Sequence, residues 1–180
     1  MQRFSVLLAR HAPVMVAEGM CYGRQEVPLR PGWERLTAGL SVLAQGASCQ
    51  VVYSSPAARC RDMAEKLVKT TCMELRIDPR LAELDFGEWE GQCWSEISRI
   101  QLDAWAADPA GFAPPGGESG LSLMQRITAV WQDIKESGVS SCILSHGGPL
   151  RLLTGLAAGE KPQLLSPSIP QGFARLFSVI

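Results

Sequence analysis

Short apolar runs alternate with amphipathic stretches along most of the chain. Five apolar runs predict β-strands, at residues 4–9, 49–53, 74–77, 141–145 and 173–179. Five stretches with apolar residues at helical spacing predict helices, at residues 31–45, 56–69, 95–107, 121–136 and 149–158. The unbroken run at 4–9 is typical of a strand that is buried on both faces of a sheet.

The alternation of strands with helices predicts an α/β fold. We expect a three-layer sandwich, in which a mostly parallel central sheet carries helices on both faces. The sequence shows no internal repeat and no linker that would divide it, so one domain over residues 1–180 is expected. Residues 108–119 are rich in proline and glycine, which predicts a loop beside a functional site rather than a domain boundary.

Composition narrows the classes of function. The 180 residues carry a net charge of −1, and 46% of them are hydrophobic, as in a globular protein with a sizeable core. This balance lacks the electrostatic footprint of a protein that binds nucleic acid or an anionic membrane. The N-terminal apolar run is too short for a signal peptide, and no stretch is long enough to span a bilayer. The six cysteines have no C-x-x-C spacing, which favours reduced thiols in a cytoplasmic protein.

Both histidines of the chain follow predicted strands. The first strand leads to Arg10 and His11, the fourth to His146, and the second to Ser55 and then Arg59 in the next helix. If these strands are parallel neighbours, two imidazoles and two guanidiniums meet at one edge of the sheet, where such folds bind ligands. Helix N-termini add backbone N–H groups at this edge, so we predict an anion site suited to phosphate.

Phosphate chemistry gives these groups defined tasks. A neutral imidazole can attack phosphorus and form a phosphohistidine, and neighbouring arginines disfavour protonation of the ring. The leaving alkoxide then needs a proton, which a carboxylic acid can supply. Segment 81–91 offers four candidates, Glu83, Asp85, Glu88 and Glu90, and its composition alone does not choose among them.

Four motifs in this order resemble the histidine phosphatase superfamily, which includes the cofactor-dependent phosphoglycerate mutases. They are Arg10-His11, Ser54–Arg59, Glu83–Gly91 and Ser145–Gly148, and they span nearly the whole chain. The resemblance implies a phosphoglycerate mutase-like α/β fold and a phosphatase that requires neither a metal nor a cofactor.

The same resemblance implies a role for each motif residue. His11 is the phosphorylated nucleophile and Glu83 is the proton donor. Arg10, Arg59 and His146 form the phosphate pocket, and His146 also counts among the catalytic residues. The chain is thereby expected to be a metal-independent phosphomonoesterase of the histidine acid type.

Two further segments bear on the substrate. Residues 19–29 resemble the segment after the catalytic histidine in α-ribazole phosphatases of cobalamin synthesis. Residues 115–119 resemble a substrate-side loop of small phosphatases in the superfamily. The expected weaker substrate contacts are Tyr22, Gly23, Arg24, Glu118, Ser119 and Gly147. The sequence departs from the common family pattern at Ala12, Pro13 and Glu26.

The predicted reaction is hydrolysis of a small-molecule phosphate ester, with α-ribazole phosphate as the first candidate. The alternatives within the superfamily are a broad-specificity sugar- or nucleotide-phosphate phosphatase and a phosphoglycerate mutase. A chain of 180 residues leaves little room for the insertions that mutases usually carry over the site. The alternative from another class is an inactive protein that binds a phospho-ligand. The assembly considered is a homodimer.

Other chemistries fit the sequence poorly. Cys93 and Arg99 have the C-x5-R spacing of cysteine-dependent phosphatases, but the residues between them predict a helix, and Glu96 would repel a phosphate. Two histidines without an H-x-H pair or a carboxylate cluster make a poor metal site. Arg61 and Arg151 are expected on helix surfaces.

Overall fold

The computed structural model describes residues 3–180. Within this range five strands form one sheet: β1 (Phe4–Arg10), β2 (Val51–Ser54), β3 (Glu74–Ile77), β4 (Ser141–Ser145) and β5 (Ala174–Val179). The α-helices of the same range are α1 (Trp33–Gly46), α2 (Ala58–Lys69), α3 (Arg99–Ala107), α4 (Gly120–Ser137) and α5 (Gly147–Ala157). The sheet order is β3-β2-β4-β1-β5, with β5 antiparallel to β1 and the other neighbours parallel.

Strand β1 is apolar on both faces because helices cover both faces of the sheet. Val6 and Leu8 belong to the core beneath α4 and α5, whereas Leu7 and Ala9 belong to the core beneath α1 and α2. Full burial of an aliphatic side chain of this size stabilises the fold by about 1.5–3 kcal/mol. The arrangement confirms the predicted three-layer sandwich with a mostly parallel sheet.

The strand register brings three strand ends to one edge of the sheet. In the parallel pair β1 and β4, Arg10 lies opposite Ser145. In the parallel pair β2 and β4, Ser54 lies opposite Leu144. The residues that follow these strands therefore emerge side by side, as the anion-site hypothesis required.

Three helices begin later than the sequence pattern predicted. Helix α1 begins at Trp33 rather than 31, because Gly32 before it adopts a left-handed φ of 91°. Helix α2 begins at Ala58 rather than 56. Its Ala58 N–H donates to the Glu26 carboxylate at 3.0 Å, so a residue distant in sequence caps it.

The start of α3 shows the largest error. The sequence pattern predicts one helix over residues 95–107, but α3 begins at Arg99. Ile97 is buried in the preceding turn and Ile100 is 82% exposed. The turn packs instead on an aromatic cluster, defined by Phe86, Trp89, Trp94, Trp105 and Phe112.

All six cysteines carry free thiols, and four of them are buried. This agrees with the reduced thiols expected from their spacing. Between residues 3 and 180, none of the helices combines the length and the apolar character needed to cross a bilayer.

Candidate active site

The two histidines lie next to each other directly after β1 and β4. The ring centroids of His11 and His146 are 5.3 Å apart, at an interplanar angle of 61°. Each side chain is only 1% exposed. The strand ends thus hold both imidazoles away from bulk solvent, where electrostatic effects are strong.

The tautomer of His11 follows from its backbone contact. Its Nδ1 lies 2.8 Å from the Ala12 carbonyl oxygen, which can only accept a hydrogen bond. Nδ1 therefore carries the proton, and Nε2 keeps its lone pair. Burial, with the charges of Arg59 and Arg10 acting in the same direction, lowers the pKa of His11 to about 3. At neutral pH the ring is thus uncharged, with a nucleophilic Nε2.

His146 is oriented by side chains at the start of α2. Its Nε2 lies 2.7 Å from the Ser55 hydroxyl oxygen and 3.6 Å from the Cys60 sulfur. Burial raises the pKa of the Cys60 thiol, so the sulfur keeps its proton. Burial, reinforced by the charge of Arg59, holds the pKa of His146 well below its ordinary value. His146 is therefore neutral as well.

Arg59 is buried beside the segment that follows β1. Its Nη1 donates to the Gln25 carbonyl at 2.8 Å, and its Nη2 donates to the Gly23 carbonyl at 2.6 Å. Its guanidinium carbon lies 5.2 Å from the centre of the Tyr22 ring, within range of a cation–π contact. Each terminal nitrogen keeps one N–H, and Nε keeps its own, so three donors remain for a ligand.

Arg10 also has unused donors. Its Nη1 donates to the Ile169 carbonyl at 3.1 Å. Gly147 permits the close packing of α5 on this guanidinium, since a β-carbon there would lie 3.2 Å from Nη2. Among residues 3–180, the buried side-chain polar atoms without a partner are the Nε atoms of Arg10, Arg59 and Arg151. An unpaired buried donor costs about 1–3 kcal/mol, which an anionic ligand would offset.

A cleft of about 330 Å³ opens beside these groups. Arg10, Glu83 and Gly148 line its polar part. The rest of the wall is mostly apolar and includes Met20, Leu84, Phe86, Trp94, Trp105, Leu123, Leu164 and Leu165. The Trp94 and Trp105 rings stack with centroids 6.0 Å apart, so the aromatic cluster supplies a rigid part of this wall.

The geometry separates the four carboxylates that composition left equivalent. Glu83 lines the cleft, where its carboxylate accepts from the Leu84 N–H at 2.9 Å and the Gly148 N–H at 3.0 Å. Asp85 accepts from a backbone N–H and pairs with an arginine outside the cleft. Glu90 accepts three backbone N–H groups, and Glu88 is exposed. Glu83 alone of these four combines access to the cleft with proximity to α5.

The six weaker candidates divide into two groups. Tyr22, Gly23 and Gly147 line the cleft. Arg24, Glu118 and Ser119 do not line it. The Ser119 hydroxyl instead accepts from the Ser122 N–H at 3.2 Å and caps α4. Arg24 and Glu118 pair with each other at 3.1 Å.

Two arginines that the sequence analysis did not assign to the site contact it in the structure. Arg151 was expected on a helix surface, but it lines the cleft and its Nε is buried. A signal existed, because Arg151 follows Gly148 by three residues and so shares its helix face. Arg126 on α4 donates to the Glu83 carbonyl and was not singled out. Arg61 does lie on the surface, as predicted, beside Glu65.

The cysteine-phosphatase spacing has no counterpart in the structure. Arg99 is exposed and pairs with Asp103 at 2.9 Å. The Cys93 backbone N–H donates to the Glu96 carboxylate at 3.0 Å. Within residues 3–180, no three histidine, cysteine or acidic side chains are placed to hold a metal ion together.

The model of the histidine phosphatase superfamily (branch 1) matches residues 6–172. The chain belongs to this superfamily. A bifunctional protein of Mycobacterium tuberculosis is 30% identical over 159 residues, which cover 84% of this chain and 43% of that protein. The chain thus spans less than half the length of the curated relatives that it matches first.

Two further matches are informative. Phosphoserine phosphatase 1 of Hydrogenobacter thermophilus is 27% identical over 157 residues, covering 82% of this chain and 73% of that one. The crystal structure of the α-ribazole phosphatase from Shigella flexneri superimposes with a TM-score of 0.85 at 22% identity. That superposition covers 98% of this chain and 94% of the other, and it shows a shared fold.

Proposed function

We propose that this histidine phosphatase hydrolyses phosphomonoesters through a phosphohistidine on His11. The observation that carries the proposal is a neutral His11 with a free Nε2, set between two arginines whose Nε atoms lack partners. In the first step Nε2 attacks phosphorus and the ester P–O bond breaks. The Glu83 carboxylic acid gives its proton to the leaving oxygen, so the alcohol departs neutral.

The second step returns the enzyme to its starting state. The Glu83 carboxylate takes a proton from water, whose oxygen attacks phosphorus. The N–P bond breaks and inorganic phosphate leaves. Throughout, Arg10, Arg59 and His146 hold the phosphoryl oxygens, and fixed donors of this kind are most effective in a dry pocket.

We extend the proposal to the leaving group. The cleft beyond Glu83 is walled by Phe86, Trp94 and Trp105, and its volume is typical of small-molecule sites. Stacked aromatic walls favour an aromatic or apolar alcohol over a small charged one such as serine. The resemblance of residues 19–29 to α-ribazole phosphatases points the same way, so α-ribazole phosphate, with its aromatic base, is the proposed substrate.

A steady-state comparison tests both the metal-free mechanism and the proposed substrate. The values of kcat/KM are measured for α-ribazole phosphate, 3-phosphoglycerate, phosphoserine and an aryl phosphate, each with and without EDTA. We expect α-ribazole phosphate to lead and EDTA to have no effect. Equal values for all esters would contradict the α-ribazole proposal and indicate a broad-specificity phosphatase. A collapse in EDTA would contradict the metal-free mechanism.

A further inference from the structure

Two guanidiniums converge on the backbone carbonyl of Glu83. Arg24, in the segment after β1, donates to it from Nε at 3.0 Å, and Arg126 on α4 donates from Nη2 at 3.0 Å. The Glu118 carboxylate joins the two arginines, at 3.1 Å from Arg24 Nη2 and 2.7 Å from Arg126 Nε. We call Arg24, Glu118 and Arg126 the Glu83 clamp.

The buried half of the clamp is the stronger one. Glu118 and Arg126 are 13% and 15% exposed, and a second contact of 2.9 Å makes their pairing bidentate. Nη1 of Arg126 also donates to the carbonyls of Arg80 and Ala82. One side chain thus accounts for three backbone carbonyls between residues 80 and 83. Such a pair costs far more to break than a surface ion pair.

The clamp matters because, among residues 3–180, only the backbone N–H groups of Leu84 and Gly148 donate to the Glu83 carboxylate. Its position therefore depends on where its own backbone lies. A general acid must reach the leaving oxygen within about 2.6–3.2 Å. A misplacement of about 1 Å can cost on the order of 100-fold in rate.

We infer that Arg24, Glu118 and Arg126 are positioning residues, which set the reach of the Glu83 carboxyl toward the leaving oxygen. This inference rests on the proposed function, in which Glu83 is the proton donor. It replaces the expected substrate contacts of Arg24 and Glu118, since both side chains form hydrogen bonds within the clamp and lie outside the cleft lining.

Leaving-group dependence provides a readout that a merely structural role would not move. An alkyl phosphate needs a proton on its leaving oxygen, whereas 2,4-dinitrophenyl phosphate expels a stable anion and needs none. For Arg126→Met and Glu118→Gln, we expect kcat/KM, which does not depend on the common second step, to fall by about 100-fold on the alkyl ester and by less than about threefold on the dinitrophenyl ester. Arg24→Met removes one of the two hydrogen bonds to the Glu83 carbonyl and should lower kcat/KM about tenfold on the alkyl ester alone.

The control is Arg80→Met. This arginine lies beside the clamp, but its side chain pairs with Asp78 and Asp133 rather than with Glu83. Arg80→Met should leave kcat/KM for both esters within about twofold of the wild-type values. Thermal melts identify any variant that fails to fold. If Arg126→Met unfolds, the exposed Arg24 and the shape-conserving Glu118→Gln still decide the question.

Glu83→Gln separates this inference from the function on which it rests. If Glu83→Gln lowers kcat/KM equally for both esters, the proton-donor role is wrong. The expected result for Glu83→Gln is instead a far greater loss of activity on the alkyl ester than on the dinitrophenyl ester. If the folded clamp variants then lose equal activity on both esters, or lose none, the clamp inference is wrong. The clamp inference also predicts the behaviour of a double variant. Adding Arg126→Met to Glu83→Gln should cause no further loss on the alkyl ester, because both changes remove the same proton transfer.

Discussion

The candidate active site has a phosphate end on the edge of the sheet and a leaving-group end in the adjoining cleft, which is assembled largely from turns between residues 81 and 112 and from α5. At the first end, His11, His146 and Arg59 are almost fully buried and fixed by backbone register. At the second end, Glu83 depends on side chains from distant segments, and the walls are aromatic.

In the proposed mechanism, this difference gives the two ends separate tasks. The sheet edge supplies groups that any phosphomonoester requires, because every such ester presents the same phosphoryl oxygens. The turns supply the proton donor and the surface that meets the alcohol. Changes at the first end should therefore affect all substrates equally, and changes at the second end should depend on the leaving group.

The largest effect is expected from Arg10→Met. Removing one donor from the phosphate end should lower kcat/KM by about 10²–10³-fold. The loss should be the same for α-ribazole phosphate and for an aryl phosphate. The control is Arg61→Met, a surface arginine on α2, which should change little. A loss confined to one substrate would contradict the proposed division of tasks between the two ends.

Acid should destabilise the phosphate end. An unfolded histidine takes up a proton near pH 6.5, whereas the folded pKa of His11 is about 3 and that of His146 is also low. The unfolded state therefore binds more protons in this window, and stability falls as the pH drops through it. The unfolding equilibrium should shift roughly tenfold per pH unit and per histidine.

Urea titrations at pH 7 and pH 5 measure this shift. His11→Asn should reduce the pH dependence of the free energy of unfolding by the contribution of one histidine. An unchanged dependence would show that His11 does not stay neutral in the folded protein.

At the leaving-group end, Trp105→Ala should lower kcat/KM for α-ribazole phosphate by about tenfold, because it removes a stacked part of the apolar wall. The rate on phosphoserine should change much less. The matched control is Ile100→Ala on the same helix, where the side chain is exposed. Equal losses on both esters would argue against an aromatic leaving group in this cleft.

The smallest effect concerns Arg151. Its buried Nε faces no partner in the structure, and an oxygen of the bound alcohol is the acceptor we expect. Arg151→Met should raise KM about fivefold with little change in kcat, as for the loss of one hydrogen bond. Arg99→Met, at an exposed position, serves as the control. A fall in kcat instead would place Arg151 in the chemical step.

The phosphate end was largely predictable from sequence because its signals are local. An apolar run followed by Arg10-His11 fixes both the strand and its end, and the same holds for the strand before His146. The parallel neighbours that bring them together follow from the α/β alternation. The antiparallel direction of β5 was not specified by its short apolar pattern.

The leaving-group end was less predictable because its contacts join distant segments. Nothing local marks Arg126 as the partner of carbonyls at residues 80–83, and Glu26 caps a helix that begins 32 residues later. The prediction that α3 begins at residue 95 was wrong because the turn before α3 packs on aromatic rings instead of continuing the helix.

The most direct test of the central claim is chemical trapping of the phosphoenzyme. The protein is mixed with a phosphomonoester labelled on phosphorus and quenched within milliseconds in alkali. We predict a protein-bound phosphate that survives alkali, is released by acid and is absent from His11→Ala. An adduct that persists in His11→Ala, or turnover by the wild type without any such adduct, would contradict nucleophilic catalysis by His11.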